Sequence, residues 1–338
     1  MRPKSTRSMR PKTPSAVLAQ AKIQAFLVTD LTNIRYLTGL PVSAGAVLIL
    51  PRRMLFFVDD RYRFQAEHRV APSIGVRDIR DVAKFLEELK ICGCEAETVT
   101  LQRFALWKKK YKNTKFVQCS NVIEHFRRSK EPEELRLMHR AERITEELLR
   151  RVPLALRKGT TELKLARQMQ IWALELGADG LSFDPIVSFG THTSSPHHHP
   201  TTRSLKKGHI VQIDIGAKVG GYCADRSEVY FTGKPTPLQE RVYGALCEAR
   251  DAAMQAAKPG VTTHALDKIA RDILAREGIE QAFTHSLGHG VGLDIHEGVT
   301  LSQKAPVEKI LKNEVITIEP GVYFPGKFGM RVESMVYV

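Results

Sequence analysis

Two aspartates interrupt apolar strand sequence in the segment VQIDIGAKVGGYCADRSEVY, residues 211–230. The segment predicts two antiparallel strands around a Gly-rich turn, with Asp214 on the leading strand and Asp225 on the returning one. A buried carboxylate costs several kcal/mol of stability unless a positive group compensates it. We therefore expect a cation beside both aspartates.

A second segment repeats this pattern near the end of the sequence. VITIEPG is followed by a turn and by GMRVESMVYV, so that Glu319 and Glu333 take the places of Asp214 and Asp225. If a pseudo-twofold axis relates the two hairpins, the four carboxylates converge on one site. No lysine lies on these strands, so the expected counter-charge is a pair of divalent metal ions, which balances the four carboxylates.

An imidazole ligand is available in HSLGHGVGLDIHE, residues 285–297, where histidines stand among glycines that allow close backbone approach. We select His289, at the Gly-His-Gly centre, as the metal ligand. His285 and His296 are expected to flank the open side of the site, where they support the metal or contact the substrate. Carboxylates combined with one imidazole favour Mn²⁺, with Co²⁺, Fe²⁺ or Zn²⁺ as alternatives.

Another histidine cluster, SPHHHP at residues 195–200, precedes the first hairpin. Adjacent side chains in a tight loop diverge, so no more than one or two of them can face a common centre. We select His197 as the residue directed at the site, and we expect His198 and His199 to lie at the surface.

Two similar helices precede the hairpins and are expected to position them. Residues 157–177 and 258–278 each contain a Gly, a following Thr that can cap a helix, and a closing Gly. The expected caps and endings are Thr160 or Thr161 with Gly177, and Thr262 or Thr263 with Gly278. The matching order of helix and hairpin predicts an internal repeat.

The earlier part of the sequence predicts a smaller α/β unit. Residues 46–50 and 55–58 predict a β-hairpin, and residues 61–69 predict a helix. Apolar residues at helical spacing predict a further helix over residues 81–89, with Gly93 as the breaker after it.

A domain boundary is expected at residues 126–130, where Ser129 can cap a long helix that runs to Leu156. We accordingly divide the chain into a flexible basic tail (1–15), an N-terminal domain (16–128) and a C-terminal domain (129–338).

The composition is that of a globular protein, with 338 residues of which 43% are hydrophobic. No apolar run approaches the ~20 residues of a membrane span, and no signal-peptide core is present. Five cysteines without CxxC spacing predict neither disulfides nor a zinc knuckle. A cytoplasmic protein without membrane contact is expected.

The basic excess is confined to residues 1–130, which hold 25 Lys or Arg against 11 Asp or Glu, whereas the remainder holds 26 of each. Nucleic-acid binding is one interpretation of this excess. Because no nucleic-acid-binding motif accompanies the charge, we favour a solvated basic surface with a loose tail.

At the residues selected above, the sequence resembles the Xaa-Pro peptidases of the pita-bread metallopeptidase family, which include aminopeptidase P and prolidase. That family binds two metals with an Asp, Asp, His, Glu, Glu set, and each member of the set is present in its local motif. The matching residues are Asp214, Asp225, His289, Glu319 and Glu333.

The resemblance covers nearly the whole chain. DLTNIRYLTG (30–39) and VDDRYRFQAE (58–67) are similar to the family's N-terminal domain, and SKEPEELRLMHRA (129–141) is similar to its linker and first helix. It implies an α/β (α+β) protein, in which a small α/β N-terminal domain precedes a C-terminal pita-bread domain with an internal pseudo-twofold repeat.

The resemblance also implies roles around the ligands. His197 and His296 match histidines that hold the substrate carbonyl and stabilise the tetrahedral intermediate, and Arg331 matches an arginine beside the last ligand. Glu319 is placed to pass a proton to the leaving prolyl nitrogen. Two positions depart from the family, since Ser227 and Glu228 stand where Thr and Arg are common.

The implied activity is hydrolysis of an Xaa-Pro bond by a homodimer, either at the N-terminus of peptides or in dipeptides, and the sequence leaves this choice open. One alternative is a non-catalytic binding or chaperone-type protein on the same fold, but such members usually lack the ligands. Methionine aminopeptidase normally lacks the extra domain at residues 25–128, and creatinase-type hydrolases use the fold without metals. The intact ligand set favours the Xaa-Pro peptidase.

Overall fold

The computed structural model describes residues 14–338, so the predicted tail lies outside the described residues except for Pro14 and Ser15. The chain divides into two compact units between Arg127 and Arg128. The helices of the first unit, the last of which ends at this division, are α1 (Pro14–Ala21), α2 (Leu31–Thr38), α3 (Asp60–Arg69), α4 (Val82–Glu87), α5 (Leu101–Lys110) and α6 (Val122–Arg128).

A mixed six-stranded sheet forms the centre of the first unit. Its strands are β1 (Phe26–Val28), β2 (Ala46–Leu50), β3 (Arg53–Val58), β4 (Ile74–Asp78), β5 (Ile91–Glu95) and β6 (Lys115–Cys119). The order across the sheet is β4-β3-β2-β1-β5-β6, with β2 antiparallel to both of its neighbours and the other pairs parallel. This arrangement confirms the predicted α/β unit.

Two of the local predictions for this unit are confirmed, one is partly wrong and one is wrong. The hairpin forms with Leu50 opposite Arg53, and the helix predicted at residues 61–69 is α3. The helix predicted at residues 81–89 is shorter, because a 3₁₀ turn leads into α4. Gly93 lies inside β5, where a Cβ atom would come within 2.7 Å of the Phe26 ring, so this glycine serves close packing and does not end a helix.

The second unit contains a long helix, α7 (Pro132–Ala155), at the predicted position. The prediction that Ser129 caps it is wrong. Glu131 is the capping residue, and its N–H donates to Glu134 Oε2 at 2.8 Å. Ser129 donates instead to the Lys312 carbonyl at 2.8 Å, because the turn that begins α7 starts two residues later.

The repeated helices are α8 (Glu162–Glu175) and α10 (Thr263–Arg276), separated by α9 (Pro237–Ala256). Thr161 accepts a hydrogen bond from the Lys164 N–H, and Thr262 accepts one from the Ala265 N–H, both at 3.2 Å. Gly177 and Gly278 follow the helix ends with φ of +84° and +69°, a conformation that favours glycine. The predicted caps and endings are thus confirmed.

Short strands make up the rest of the second unit. They are β7 (Gly180–Leu181), β8 (Ile186–Phe189), β9 (Ile210–Ile215), β10 (Ala217–Val219), β11 (Tyr222–Cys223), β12 (Arg226–Phe231), β13 (Gly288–His289), β14 (Thr300–Leu301), β15 (Val315–Ile318), β16 (Gly321–Phe324), β17 (Phe328–Arg331) and β18 (Ser334–Tyr337).

Both predicted hairpins are present as nested pairs. Strands β9 and β12 pair around the smaller pair β10–β11, and strands β15 and β18 pair around the smaller pair β16–β17. Apolar faces of α9 and α10 pack on this framework through buried residues such as Leu246, Leu266 and Ile316. Within residues 14–338, no helix combines the length and the apolar character needed to cross a membrane.

Candidate metal centre

A single cavity of about 650 Å³ in the second unit is lined by all of the site residues selected from the sequence. The expected metal ligands in its wall are Asp214, Asp225, His289, Glu319 and Glu333. The other selected residues in its wall are His197, His285, His296 and Arg331. The separate sequence motifs therefore converge on one space.

The two nested hairpins bring the carboxylates together. Asp214 lies within β9 opposite Ser227 of β12, and Asp225 immediately precedes β12. Glu319 follows β15 and Glu333 precedes β18. A hydrogen bond of 3.1 Å from the Glu333 N–H to the Ser227 carbonyl joins the hairpins, so the acidic residues face one another across this junction.

His289 stands between the carboxylates contributed by the two hairpins. Its Nε2 atom lies 3.5 Å from Asp225 Oδ2 and 3.5 Å from Glu319 Oε1. Ligand atoms of Asp225, His289 and Glu333 all lie within 4.8 Å of one another, a spacing that one ion can span.

Mutual repulsion and burial are strong among these acids. Burial, with the neighbouring Glu333 and Asp214, raises the pKa of Asp225 well above its usual range. Burial, with Glu319 and Asp214, does the same to the pKa of Glu333. Burial raises the pKa of Glu319 to about 8, although the Arg331 guanidinium partly opposes this. The protein alone does not supply enough positive charge for these carboxylates.

The polar atoms of the site fit divalent metal ions. Asp214 Oδ1 and Asp225 Oδ1 are buried and receive no hydrogen bond from the described residues. Burial, with the nearby His296, lowers the pKa of His289 to about 4, so its imidazole is neutral near pH 7 and has a lone pair available for a metal. Oxygen-rich ligation with one neutral imidazole suits first-row divalent ions.

The position of His289 depends on close backbone approach. A Cβ atom on Gly288 would lie 2.0 Å from the Thr317 carbonyl oxygen, so only glycine fits beside β15. The His289 N–H donates to Thr317 Oγ1 at 3.2 Å. A polar threonine inside the apolar strand β15 is therefore part of the site, and the sequence reasoning missed it.

Arg331 organises the wall of the cavity behind Asp214. Its Nη2 donates to Asp214 Oδ2 at 2.5 Å, its Nε donates to Ser227 Oγ at 3.0 Å and its Nη1 donates to the Tyr323 hydroxyl at 2.6 Å. Burial opposes the charge of Arg331, but Tyr323 and Asp214 outweigh this and raise its pKa. Ser227, at a position that departs from the family pattern, thus takes part in holding the arginine.

Two residues of this network were not selected from the sequence. Tyr323 contacts both Arg331 and His285, whose Nε2 lies 3.1 Å from its hydroxyl. Gln212 accepts from the Arg331 N–H at 2.8 Å and donates to the Arg331 carbonyl at 3.1 Å. A glutamine inside the apolar strand β9 was a usable signal for this contact.

The flanking histidines are held in different ways. His285 has its Nδ1 2.8 Å from the Ser286 carbonyl, and burial, with the nearby Arg331, lowers its pKa to about 3. The His296 ring lies beside the His289 ring, with 4.2 Å between centroids. Both rings border the cavity, as expected from the sequence.

All three histidines of the SPHHHP cluster border the cavity, so the expectation that no more than one or two of them face a common centre is not met. His197 and His199 are exposed, as expected for His199. The prediction that His198 lies at the surface is wrong, since its side chain is only 12% exposed and its Nε2 lies 2.9 Å from Glu162 Oε2. Glu162, a fully buried acid at the start of α8, holds it, and the sequence reasoning missed this residue.

Buried acids around a neutral imidazole, on nested hairpins, form a donor set suited to divalent metal ions. The chain belongs to metallopeptidase family M24, whose family model matches residues 136–338. Residues 13–129 match the creatinase/prolidase N-terminal domain. Family membership implies a divalent metal cofactor, and it confirms both the family resemblance and the fold class predicted from the sequence.

Individual relatives agree with this assignment along almost the whole chain. The chain is 31% identical to an Xaa-Pro dipeptidase of Pyrococcus horikoshii over 319 residues, which cover 94% of this chain and 90% of the relative.

Solved structures also resemble this chain along almost its whole length. The structure of an Xaa-Pro dipeptidase from Bacillus anthracis superposes with a TM-score of 0.91 at 28% identity, covering 96% of this chain and 94% of that one. That of an X-Pro aminopeptidase from Thermotoga maritima superposes with a TM-score of 0.86 at 30% identity, covering 95% and 94%.

Proposed function

We propose that this chain is a metal-dependent exopeptidase that hydrolyses the bond between an N-terminal residue and the proline that follows it. The observation that carries the proposal is the convergence of four carboxylates and His289 on one cavity, where one buried oxygen of each aspartate, Asp214 Oδ1 and Asp225 Oδ1, receives no hydrogen bond from the described residues. Relatives named as Xaa-Pro dipeptidases and as X-Pro aminopeptidases both resemble the chain, which supports this substrate class.

The proposed ligands of the cofactor are Asp214, Asp225, His289, Glu319 and Glu333, and the proposed cofactor is a pair of Mn²⁺ ions, with Co²⁺ or Zn²⁺ as alternatives. When bound, such ions supply a water activated near neutral pH and a Lewis acid for the scissile carbonyl. Arg331 keeps Asp214 oriented through the 2.5 Å contact between them.

Three side chains of the cavity are proposed to act on the substrate. His197 and His296 donate hydrogen bonds to the carbonyl oxygen as negative charge develops on it. Water adds to the carbonyl carbon and gives up a proton to Glu319, the C–N bond breaks, and Glu319 delivers that proton to the departing prolyl nitrogen. An Xaa-Pro bond has no N–H, so a site that works through the carbonyl oxygen and the leaving nitrogen suits it.

His285 is proposed to support this arrangement from behind, since it contacts the Tyr323 hydroxyl that in turn binds Arg331. The pKa of His285, lowered to about 3, keeps its ring neutral at physiological pH. A neutral ring adds no further positive charge beside the arginine.

The test compares Gly-Pro, Gly-Pro-Ala and Gly-Ala-Ala as substrates of the purified protein with Mn²⁺, with release of glycine measured by chromatography. Turnover confined to Gly-Pro identifies a dipeptidase, and turnover of Gly-Pro-Ala identifies an aminopeptidase. Gly-Ala-Ala should not be hydrolysed. Preference for Gly-Ala-Ala would contradict the Xaa-Pro assignment.

Ligand variants complete this test. Asp225→Asn and His289→Ala should each abolish hydrolysis and lower the bound metal measured by mass spectrometry. The matched control is Asp272→Asn on the exposed surface of α10, which should leave both unchanged. Undiminished turnover in either ligand variant would refute the proposed role, and a metal-free, inactive wild type would favour a binding protein on this fold.

We further propose that the protein acts as a homodimer in the cytoplasm. Light scattering on the purified chain measures the oligomeric state, and fractionation of the source cells measures the location. A monomer with full activity would contradict a functional dimer.

A further inference from the structure

Glu162, the first residue of α8, is a fully buried carboxylate that accepts five hydrogen bonds from one segment, residues 189–201. Its Oε1 atom accepts from the Phe189 N–H at 2.8 Å and from His192 Nδ1 at 2.9 Å. Its Oε2 atom accepts from His198 Nε2 at 2.9 Å and from both the N–H and the hydroxyl of Thr201, at 2.9 and 2.6 Å. The proposed function assigns no role to Glu162.

The charge state of Glu162 suits this arrangement. Burial raises its pKa, but hydrogen bonds from Thr201 and His198 and from backbone amides outweigh burial, so that its pKa is lowered overall. Glu162 is therefore ionised at neutral pH and accepts at both oxygens. Each histidine carries a proton on the nitrogen that faces it, His192 on Nδ1 and His198 on Nε2.

The anchored segment includes His197, which borders the cavity beside the carboxylates. The His197 side chain is exposed, so its position depends on the neighbouring backbone rather than on close packing. That backbone is fixed on both sides. His198 is bound to Glu162, and the Pro196 carbonyl accepts from Arg331 Nη1 at 3.3 Å.

The second repeat contains a comparable anchor at a different helix position. Asp267 of α10 is fully buried and accepts from Arg271 Nε at 2.9 Å, and Arg271 Nη2 donates to the His285 carbonyl at 2.9 Å. The residue of α10 that corresponds to Glu162 is Thr263, which accepts from the Glu308 N–H. In each repeat, a buried acid on the helix thus fixes a segment that contributes a histidine to the cavity.

We infer that Glu162 is a positioning residue, which holds residues 189–201 so that His197 faces the substrate carbonyl. The inference rests on the proposed function, because the substrate contact of His197 belongs to it. A displacement of about 1 Å at a reacting group can cost on the order of 100-fold in rate, so an anchor that does not itself touch the substrate can control turnover.

A cation site is the competing interpretation of the same cluster. Ligand atoms of Glu162, His192 and His198 lie within 4.8 Å of one another. However, the Phe189 and Thr201 amides already occupy both carboxylate oxygens, and each histidine lies at hydrogen-bond distance from the carboxylate. These contacts favour hydrogen bonding over metal binding.

The principal test is Glu162→Gln, which keeps the shape but replaces one acceptor oxygen by a donor that opposes the amide and imidazole N–H groups. The assay uses the Mn²⁺-loaded enzyme and whichever of Gly-Pro and Gly-Pro-Ala the wild type hydrolyses faster. We expect kcat/KM to fall about 10- to 100-fold, mostly through a lower kcat. Metal content should be unchanged. Glu175→Gln, the same substitution at the exposed end of α8, is the matched control and should behave as wild type.

To separate loss of the anchor from general destabilisation, Thr201→Val provides a milder variant, which removes the 2.6 Å hydroxyl contact with Glu162 and the 3.1 Å acceptor of the Arg203 N–H. Its kcat/KM should fall less than that of Glu162→Gln, with an unchanged melting temperature. A double-mutant cycle with His197→Ala then tests the connection directly. If Glu162 acts through His197, the Glu162→Gln substitution should have little further effect in the His197→Ala background.

Several results would overturn the inference. If Glu162→Gln lowers kcat/KM by the same factor in the wild type and in the His197→Ala variant, Glu162 does not act through the His197 ring. Loss of an additional metal ion per chain in Glu162→Gln would identify a cation site instead. Unchanged hydrogen exchange at the Phe189 and Thr201 amides in Glu162→Gln would show that no anchor was removed. Since exchange needs no substrate, it tests the anchor even if wild type proves inactive on every Xaa-Pro peptide, an outcome that would overturn the proposed function alone.

Discussion

Lys130 Nζ lies 3.0 Å from Glu297 Oε1, and the two side chains are only 1% and 4% exposed. Lys130 stands just before α7, whereas Glu297 follows His296 in the segment that borders the cavity. The start of the long helix is therefore tied to the segment that contributes a proposed oxyanion donor. Neither residue belongs to the proposed ligand set, and the ligand motifs in the sequence do not indicate this ion pair.

Replacing Lys130 with Met should destabilise the protein strongly. Removal of the ammonium leaves the Glu297 carboxylate buried without its counter-charge, which typically costs about 3–5 kcal/mol. Chemical denaturation of the metal-loaded protein measures this loss, and kcat/KM should fall as residues 291–298 lose their fixed position.

The control for that prediction is the double variant Lys130→Met/Glu297→Gln, which removes both charges. It should recover a large part of the lost stability, because a neutral amide is much less costly to bury than a carboxylate that has lost its counter-charge. If the single variant is as stable as wild type, the ion pair has no structural role.

The metal-free protein should lose stability as pH rises from about 6.5 to 8. Folding raises the pKa of Glu319 from its ordinary 4.5 to about 8, and it raises the pKa values of Asp225 and Glu333 as well. In this window the folded state therefore binds more protons than the unfolded state, so the free energy of unfolding decreases with pH. Below about 6.5 the lowered pKa values of His285 and His289 act in the opposite direction and obscure the effect.

Denaturation of chelator-treated protein at several pH values checks this expectation. Saturating Mn²⁺ should remove the decline, since bound cations stabilise the ionised carboxylates, and Glu319→Gln should weaken it because one titrating group is gone. A free energy of unfolding that is constant or increases between these pH values without metal would contradict the described electrostatics.

The proposed ligands could be selected from the sequence because each of them stands in a short local pattern. Asp214 and Asp225 interrupt apolar strands, and His289 stands between glycines, so residue type and neighbours were sufficient. Glu162 and Lys130 lacked such a signal. Their partners His198 and Glu297 lie 36 and 167 residues away in sequence, and charged residues near a helix start are ordinarily solvent-exposed.

The predictions for His198 and Ser129 were wrong for a similar reason, since both residues have partners that are distant in sequence. His198 was expected at the surface because a tight loop cannot direct three histidines inward. The expectation did not include buried Glu162, whose carboxylate holds His198 at 2.9 Å while that residue also borders the cavity. Ser129 is a good capping residue by type, but its hydroxyl bonds to Lys312, a contact that only the tertiary structure reveals.

Arg331→Lys should reduce activity although it keeps the positive charge. One ammonium cannot reproduce the separate contacts of the guanidinium with Asp214, Ser227 and Tyr323. We expect kcat/KM to fall about 10- to 100-fold and metal affinity to weaken, because Asp214 is no longer held in orientation. Arg276→Lys, at an exposed pair with Glu248, is the control and should be neutral. Wild-type activity in Arg331→Lys would mean that charge alone suffices.

Two glycine substitutions should have opposite effects on stability. A Cβ atom at Gly288 would lie 2.0 Å from the backbone oxygen of Thr317, so Gly288→Ala must push β13 away from β15. We expect a loss of about 1–3 kcal/mol from this overpacking, with a parallel loss of metal binding because His289 is the next residue.

Gly244 lies on an exposed face of α9, where an added Cβ meets nothing within 4 Å. Gly244→Ala should therefore stabilise the helix by about 0.5–1 kcal/mol and leave metal binding unchanged. Chemical denaturation and metal analysis of both variants check the pair, and a Gly288→Ala protein with normal metal content would show that β13 tolerates displacement.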